Sequence, residues 1–165
     1  MMKLVKDPNP VLRQKAEPWE FGLEWPSADE LEDQMLDVMM NERGIGLAAN
    51  QVGLLKQVFA IKLSNGRSLC MFNPKLLASS DQNQIGEEGC LSFPNLFLEI
   101  ERPQEIVVEY FDKNAQKFTI TLTGIDARCF LHELDHLNGV CFTDNINPIK
   151  LALAKKKQQT KRKYI

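Results

Sequence analysis

The order of apolar and polar positions divides the chain into helical and strand-like stretches. In "PSADELEDQMLDVMMNERG" (26–44), Leu31, Met35, Val38 and Met39 recur at helical spacing, Ser27 and Glu30 stand as in a capping box, and Gly44 supplies a stop. "KQVFAIKL" (56–63) and "RSLCMFN" (67–73) flank "SNG" and predict a hairpin. "EIVVEYFD" (105–112) and "KFTITLTG" (117–124) alternate around "KNAQ" and predict a second one. "IDARCFLHELDHLNG" (125–139) returns to helical spacing through Ile125, Phe130, Leu134 and Leu137, with Gly139 near its end. The expected fold is α+β, with antiparallel strands and hairpins packed around this central helix and a C-terminal helix after "NINP". No long linker interrupts the chain, so residues 1–147 and the tail 148–165 are expected to form one domain.

Composition agrees with a single folded domain: 165 residues, 44% hydrophobic and 25% charged, are enough to bury a core. The start "MMKLVKDPNP" lacks an apolar signal region, and no run approaches the roughly 18 apolar residues of a membrane span. The expectation is a cytoplasmic protein without membrane association. In that setting Cys70, Cys90, Cys129 and Cys141 read as reduced thiols or metal ligands rather than disulfides.

The near-neutral net charge conceals an asymmetry. Residues up to Asp144 hold all 22 acidic groups and carry −9, whereas the tail from Lys150 carries +7. Such a tail is a candidate arm for RNA, although a solvated terminal helix is the plainer reading of a charge run. DNA is not an expected partner.

The chain has two histidines, and both lie in "HELDH" as His132 and His136. Residues four apart on a helix share a face, so both imidazoles can reach one ion, and Glu133 beside them can handle the proton of an activated water. A catalytic ion normally takes three protein ligands and keeps one position open. The metzincin pattern fails because its last histidine would fall at Phe142, and the only carboxylate after His136 is the nearby Asp144. A cysteine is therefore the expected third donor. Cys129 lies about 10 Å of helical rise from His136, too far to share the ion, and is expected to line the pocket instead. Cys70 and Cys141 sit in apolar contexts typical of buried thiols. Cys90, in "GEEGCLSFP", lies where extended backbone can approach a site, and it is the chosen ligand.

Three motifs, "GIGLAANQVG" (44–53), "EGCLS" (88–92) and "HELDH" (132–136), together with the opening "DPNPVLRQKAEP", resemble the peptide deformylases in order and spacing over almost the whole chain. Asn50, where many members have proline or threonine, and Leu131, where glutamine is common, depart from the pattern; neither is a ligand or the catalytic acid. The resemblance implies hydrolytic removal of the formyl group from the N-terminal formyl-methionine of nascent polypeptides, with release of formate. It implies Cys90, His132 and His136 as ligands, and Glu133 as proton carrier. The oxyanion would be held by the metal, the backbone N–H of Leu91 and the side-chain amide of Gln51.

Taken alone, Gln51 could be a loop amide bonded to its own backbone. Gly44, Ile45, Gly46 and Gly89 are expected to border the substrate, and Ile45, Ile125 and Cys129 to offer an apolar slot, with core packing as their competing role. Glu88 and Arg102 are candidates for orienting the site, leaving Glu133 as the main negative charge beside the ion. Sulfur and nitrogen donors suit Fe2+, Zn2+, Ni2+ and Co2+ alike. Fe2+ is the native ion the resemblance implies, and the basic tail would then draw the enzyme to the ribosome. Two rivals remain: an HExxH peptidase acting on internal amides, and a noncatalytic metal-stabilised module, against which a free Glu133 argues.

Overall fold

In the computed structural model, which describes residues 1–163 and the side chains through Gln158, Ser27 begins the first helix, α1 (Ala28–Asn41). Its hydroxyl accepts from Glu30 N while Glu30 accepts from Ser27 N, so two otherwise unpaired donors are satisfied reciprocally. The helix does not stop at Gly44 as expected. Arg43 takes the left-handed conformation (φ 60°), and Gly44 instead gives room to Leu91, whose Cδ1 would stand 2.6 Å from a β-carbon there and would have to shift.

The remaining elements are a 3₁₀ turn at Pro10–Arg13, β1 (Gly46–Ala48), a second 3₁₀ turn at Ala49–Val52, β2 (Val58–Lys62), β3 (Ser68–Ser79), β4 (Asn83–Cys90), β5 (Phe93–Pro103), β6 (Glu105–Phe111), β7 (Lys117–Thr123), α2 (Gly124–Leu137) and α3 (Pro148–Lys163). Five strands form an antiparallel sheet in the order β1-β2-β3-β6-β7, and β4 and β5 pair separately. Both expected hairpins are present. The first turns through Gly66 at φ 89° and the second through Ala115 at φ 60°.

Alternation along β2 explains how the sheet carries a helix on each face. Val58 and Ala60 pack with Leu31, Met35 and Met39 of α1, whereas Phe59 and Ile61 pack with Phe130 and Leu131 of α2. Phe59 meets Phe130 edge-to-face at 5.2 Å. A third cluster joins Phe93, Leu96 and Leu98 of β5 to Leu12, Cys141 and Phe142, with Leu151 and Ala154 of α3 against it. As a result α2 is enclosed on nearly every side, and every residue from Ala127 to Glu133 is buried. Its stop is the expected one: Gly139 adopts φ 74°, and a β-carbon there would meet Arg13 O at 2.7 Å. The basic tail forms α3 as expected. Its side chains beyond Gln158, and Tyr164 and Ile165 altogether, lie outside the described residues.

Candidate metal centre

Helix α2 sets the His132 and His136 rings 5.0 Å apart between centroids. Cys90 arrives from the last position of β4, where the register with β5 shifts between Gly89 and Cys90. Its Sγ lies 3.3 Å from His136 Nε2, and the Cys90, His132 and His136 donor atoms fall within 4.8 Å of one another. Around a tetrahedral ion with bonds near 2.0–2.3 Å, donor atoms stand about 3.3–3.6 Å apart, so this set fits a divalent metal after a small contraction. Cys129 stays outside it, with Sγ directed to Ile45 O at 3.5 Å, beside the cavity as expected.

His132 is held from behind. Its Nδ1 bonds Glu88 Oε1 at 2.8 Å, which leaves Nε2 for a ligand. Glu88 also receives Arg102 through Nε and Nη2, both at 2.9 Å, and Arg128 Nη1 at 2.8 Å. Burial opposes the Glu88 charge, but Arg102 and His132 outweigh it and hold the carboxyl at about 2. Glu133 is therefore not the main negative charge at the centre; a second buried carboxylate stands behind His132. The same balance draws positive charge between Cys90 and Glu88: burial works against it, yet His132 keeps its proton up to about 10.

Glu133 is 3% exposed, and burial pushes its carboxyl up to about 7. Its Oε2 has no partner among the described residues. Gln51, 1% exposed, accepts from Ala48 N at 2.8 Å through Oε1 and donates from Nε2 to Ser92 Oγ at 3.0 Å, with Cys90 Sγ 3.5 Å away. Gln51 thus caps its own turn through Oε1 while its Nε2 lies beside Cys90 Sγ.

A cavity of about 560 Å³ opens on Cys90, His132 and Glu133. Gly44, Ile45, Gly46, Gly89, Ile125, Cys129, Gln51 and Leu91 all line it. Ile45, Ile125 and Phe97 remain half exposed at its wall. Sequence reasoning missed Arg128, Asp135, Ser92 and the structural weight of Asn50. Arg128 threads to Gln84 O and Ile100 O at 2.7 Å each, and a β-carbon at Gly86 would meet its guanidinium at 2.9 Å. An arginine one turn before His132, inside the apolar stretch from Ala127 to Leu131, was the available signal.

One cysteine sulfur, two imidazoles and a buried carboxyl at the floor of a cleft define the equipment of a metal-dependent hydrolase. The polypeptide deformylase family model matches residues 1–152. A peptide deformylase of Rhizobium meliloti (strain 1021) is 41% identical over 149 residues, 87% of this chain and 83% of that protein. Among solved structures, a peptide deformylase from Legionella pneumophila superposes with a TM-score of 0.88 at 31% identity, covering 99% of this chain and 96% of that one. Peptide deformylase from Thermotoga maritima superposes at 0.83 with 37% identity, over 90% of this chain and 99% of that chain. The chain belongs to the peptide deformylase family.

Proposed function

We propose that Cys90, His132 and His136 hold the divalent ion of a peptide deformylase, and that Glu133 carries the protons as the formyl group is hydrolysed from N-formylmethionyl peptides. The observation that carries this reading is the meeting of the three donor atoms within 4.8 Å beside a buried carboxyl at a 560 Å³ cleft. An ion bound there supplies Lewis acidity to the formyl carbonyl and acidifies water.

The chain's own residues do the rest. Glu133, buried and raised to about 7, takes a proton from the attacking water and returns it to the departing amine. Its unpartnered Oε2 suits that exchange, since no protein donor competes for it. The Gln51 amide and the backbone N–H of Leu91 stabilise the oxyanion. β1 lies at the edge of its sheet, so an extended peptide can pair with Gly44–Gly46 and border Gly89. The methionine side chain enters the slot between Ile45, Ile125 and Cys129.

Fe2+ is the native ion in this reading, with Zn2+, Ni2+ or Co2+ accepted by the same donors. The reading puts this work on nascent peptides in the cytoplasm; among the described residues no helix is long and apolar enough to cross a membrane. The tail 148–165 belongs to the same domain as residues 1–147, and α3 seated on β5 supports this. The test is to incubate iron-loaded protein with formyl-Met-Ala-Ser and measure formate. Formate should appear, and Glu133→Ala should reduce its rate by about 100-fold or more with metal retained. Cleavage after methionine instead would mark a peptidase.

A further inference from the structure

The two histidines are supported unequally. His132 Nδ1 has Glu88, but His136 Nδ1, on a residue with no exposed surface, has no partner among the described residues. A histidine that ligates through Nε2 carries its proton on Nδ1 and normally gives it to an acceptor that fixes the ring. Only two buried side-chain acceptor atoms among the described residues lack a partner, Glu133 Oε2 and Asn50 Oδ1.

Asn50 is fully buried, and its Nδ2 donates to the backbone carbonyl of His136 itself. Turning the amide over would set oxygen against oxygen, so the orientation is fixed by this bond. The unpartnered Oδ1 is thereby kept beside the residue whose ring lacks an acceptor.

Resting on the metal reading above, we propose that Asn50 is the positioning residue of His136: Nδ2 anchors the carbonyl, and Oδ1 receives the Nδ1–H, directly or through one enclosed water, so that Nε2 is aimed at the ion. The adjacent Gln51 touches Cys90, so the single turn Ala49–Val52 braces ligands from both α2 and β4. Asparagine carries its donor and its acceptor on separate atoms, whereas threonine carries both on one oxygen and the proline side chain has neither.

The chain's two histidines make the test direct, because the Zn2+-loaded protein has only two imidazole Nδ1–H groups to observe by NMR. Asn50→Leu, close in volume, should shift or lose the His136 signal, leave that of His132, and weaken Zn2+ binding about 10- to 100-fold in chelator competition. Glu88→Gln should move the His132 signal instead. An Asn50→Leu protein with both signals and Zn2+ affinity unchanged would overturn the proposal. If that variant does not fold, the unaltered protein decides: cross-relaxation of the His136 Nδ1–H with the Asn50 side-chain amide protons, or with an enclosed water that also contacts them, supports the role, and the absence of both overturns it. Failure of the metal reading looks different, since Co2+ added to the unaltered protein would then give no thiolate charge-transfer band.

Discussion

A β-carbon at Gly46 would stand 2.3 Å from Glu133 Oε1 and 2.9 Å from Cys129 Sγ. The glycine makes room for the Glu133 carboxyl and the Cys129 thiol, a more immediate reason than room for a peptide. Gly46→Ala should displace Glu133 and lower kcat/KM by about 100-fold, as a misplacement near 1 Å does, while metal content stays constant. Gln51 permits a second measurement. If its amide serves the oxyanion, Gln51→Leu should reduce kcat by about 10²–10³-fold with metal retained. A change confined to thermal stability would leave Gln51 only the cap on Ala48 N. At this scale the meeting of His132, Glu133 and His136 on one buried helix was legible, because their spacing is dictated by helical geometry. The reason for Gly46 was not legible, since it depends on β1 meeting α2 across the fold.

The pair of strands that delivers Cys90 was hidden in the sequence. β4 reads "NQIGEEGC", and only Glu88 along it is buried, so no apolar alternation marks it. Its order comes from pairing with β5 and from Arg128 bonding carbonyls of both strands. The same network ties these strands to α2, since Arg102 also bonds Asp135 at 2.7 Å. Glu88→Gln leaves Arg102 and Arg128 without their buried anion and should lower the unfolding free energy at pH 7 by about 3–5 kcal/mol. The pH dependence follows from the direction of the shift. Folding depresses Glu88 from 4.5 to about 2, so its stabilisation is complete above about pH 4.5 and fades as pH falls toward 2. Urea unfolding should therefore show a wide gap between the two proteins at pH 7 and a narrower one at pH 3; a gap that does not narrow would contradict the assignment.

Across the whole molecule, charge and packing separate along the tail. Leu151 and Ala154 fasten α3 to the cluster around β5, and Gln158 Nε2 donates to Pro94 O, on a residue that lines the cleft. Beyond this anchor the charged residues of the sequence are the cations Lys161, Arg162 and Lys163, whereas residues up to Asp144 carry −9. Attraction to a polyanion must then come from the tail, because the body repels it, and the contribution must weaken with salt. Deleting Lys155–Ile165 removes six of the tail's seven cations, so co-sedimentation with ribosomes should fall and its log–log salt slope should flatten by up to about 5. That deletion also removes the Gln158 bond, which confounds charge with packing. Truncation before Gln159 keeps the anchor and removes three cations, so about half the flattening should remain if charge is the cause. Binding unchanged in both truncations would assign the tail to packing against β5 alone.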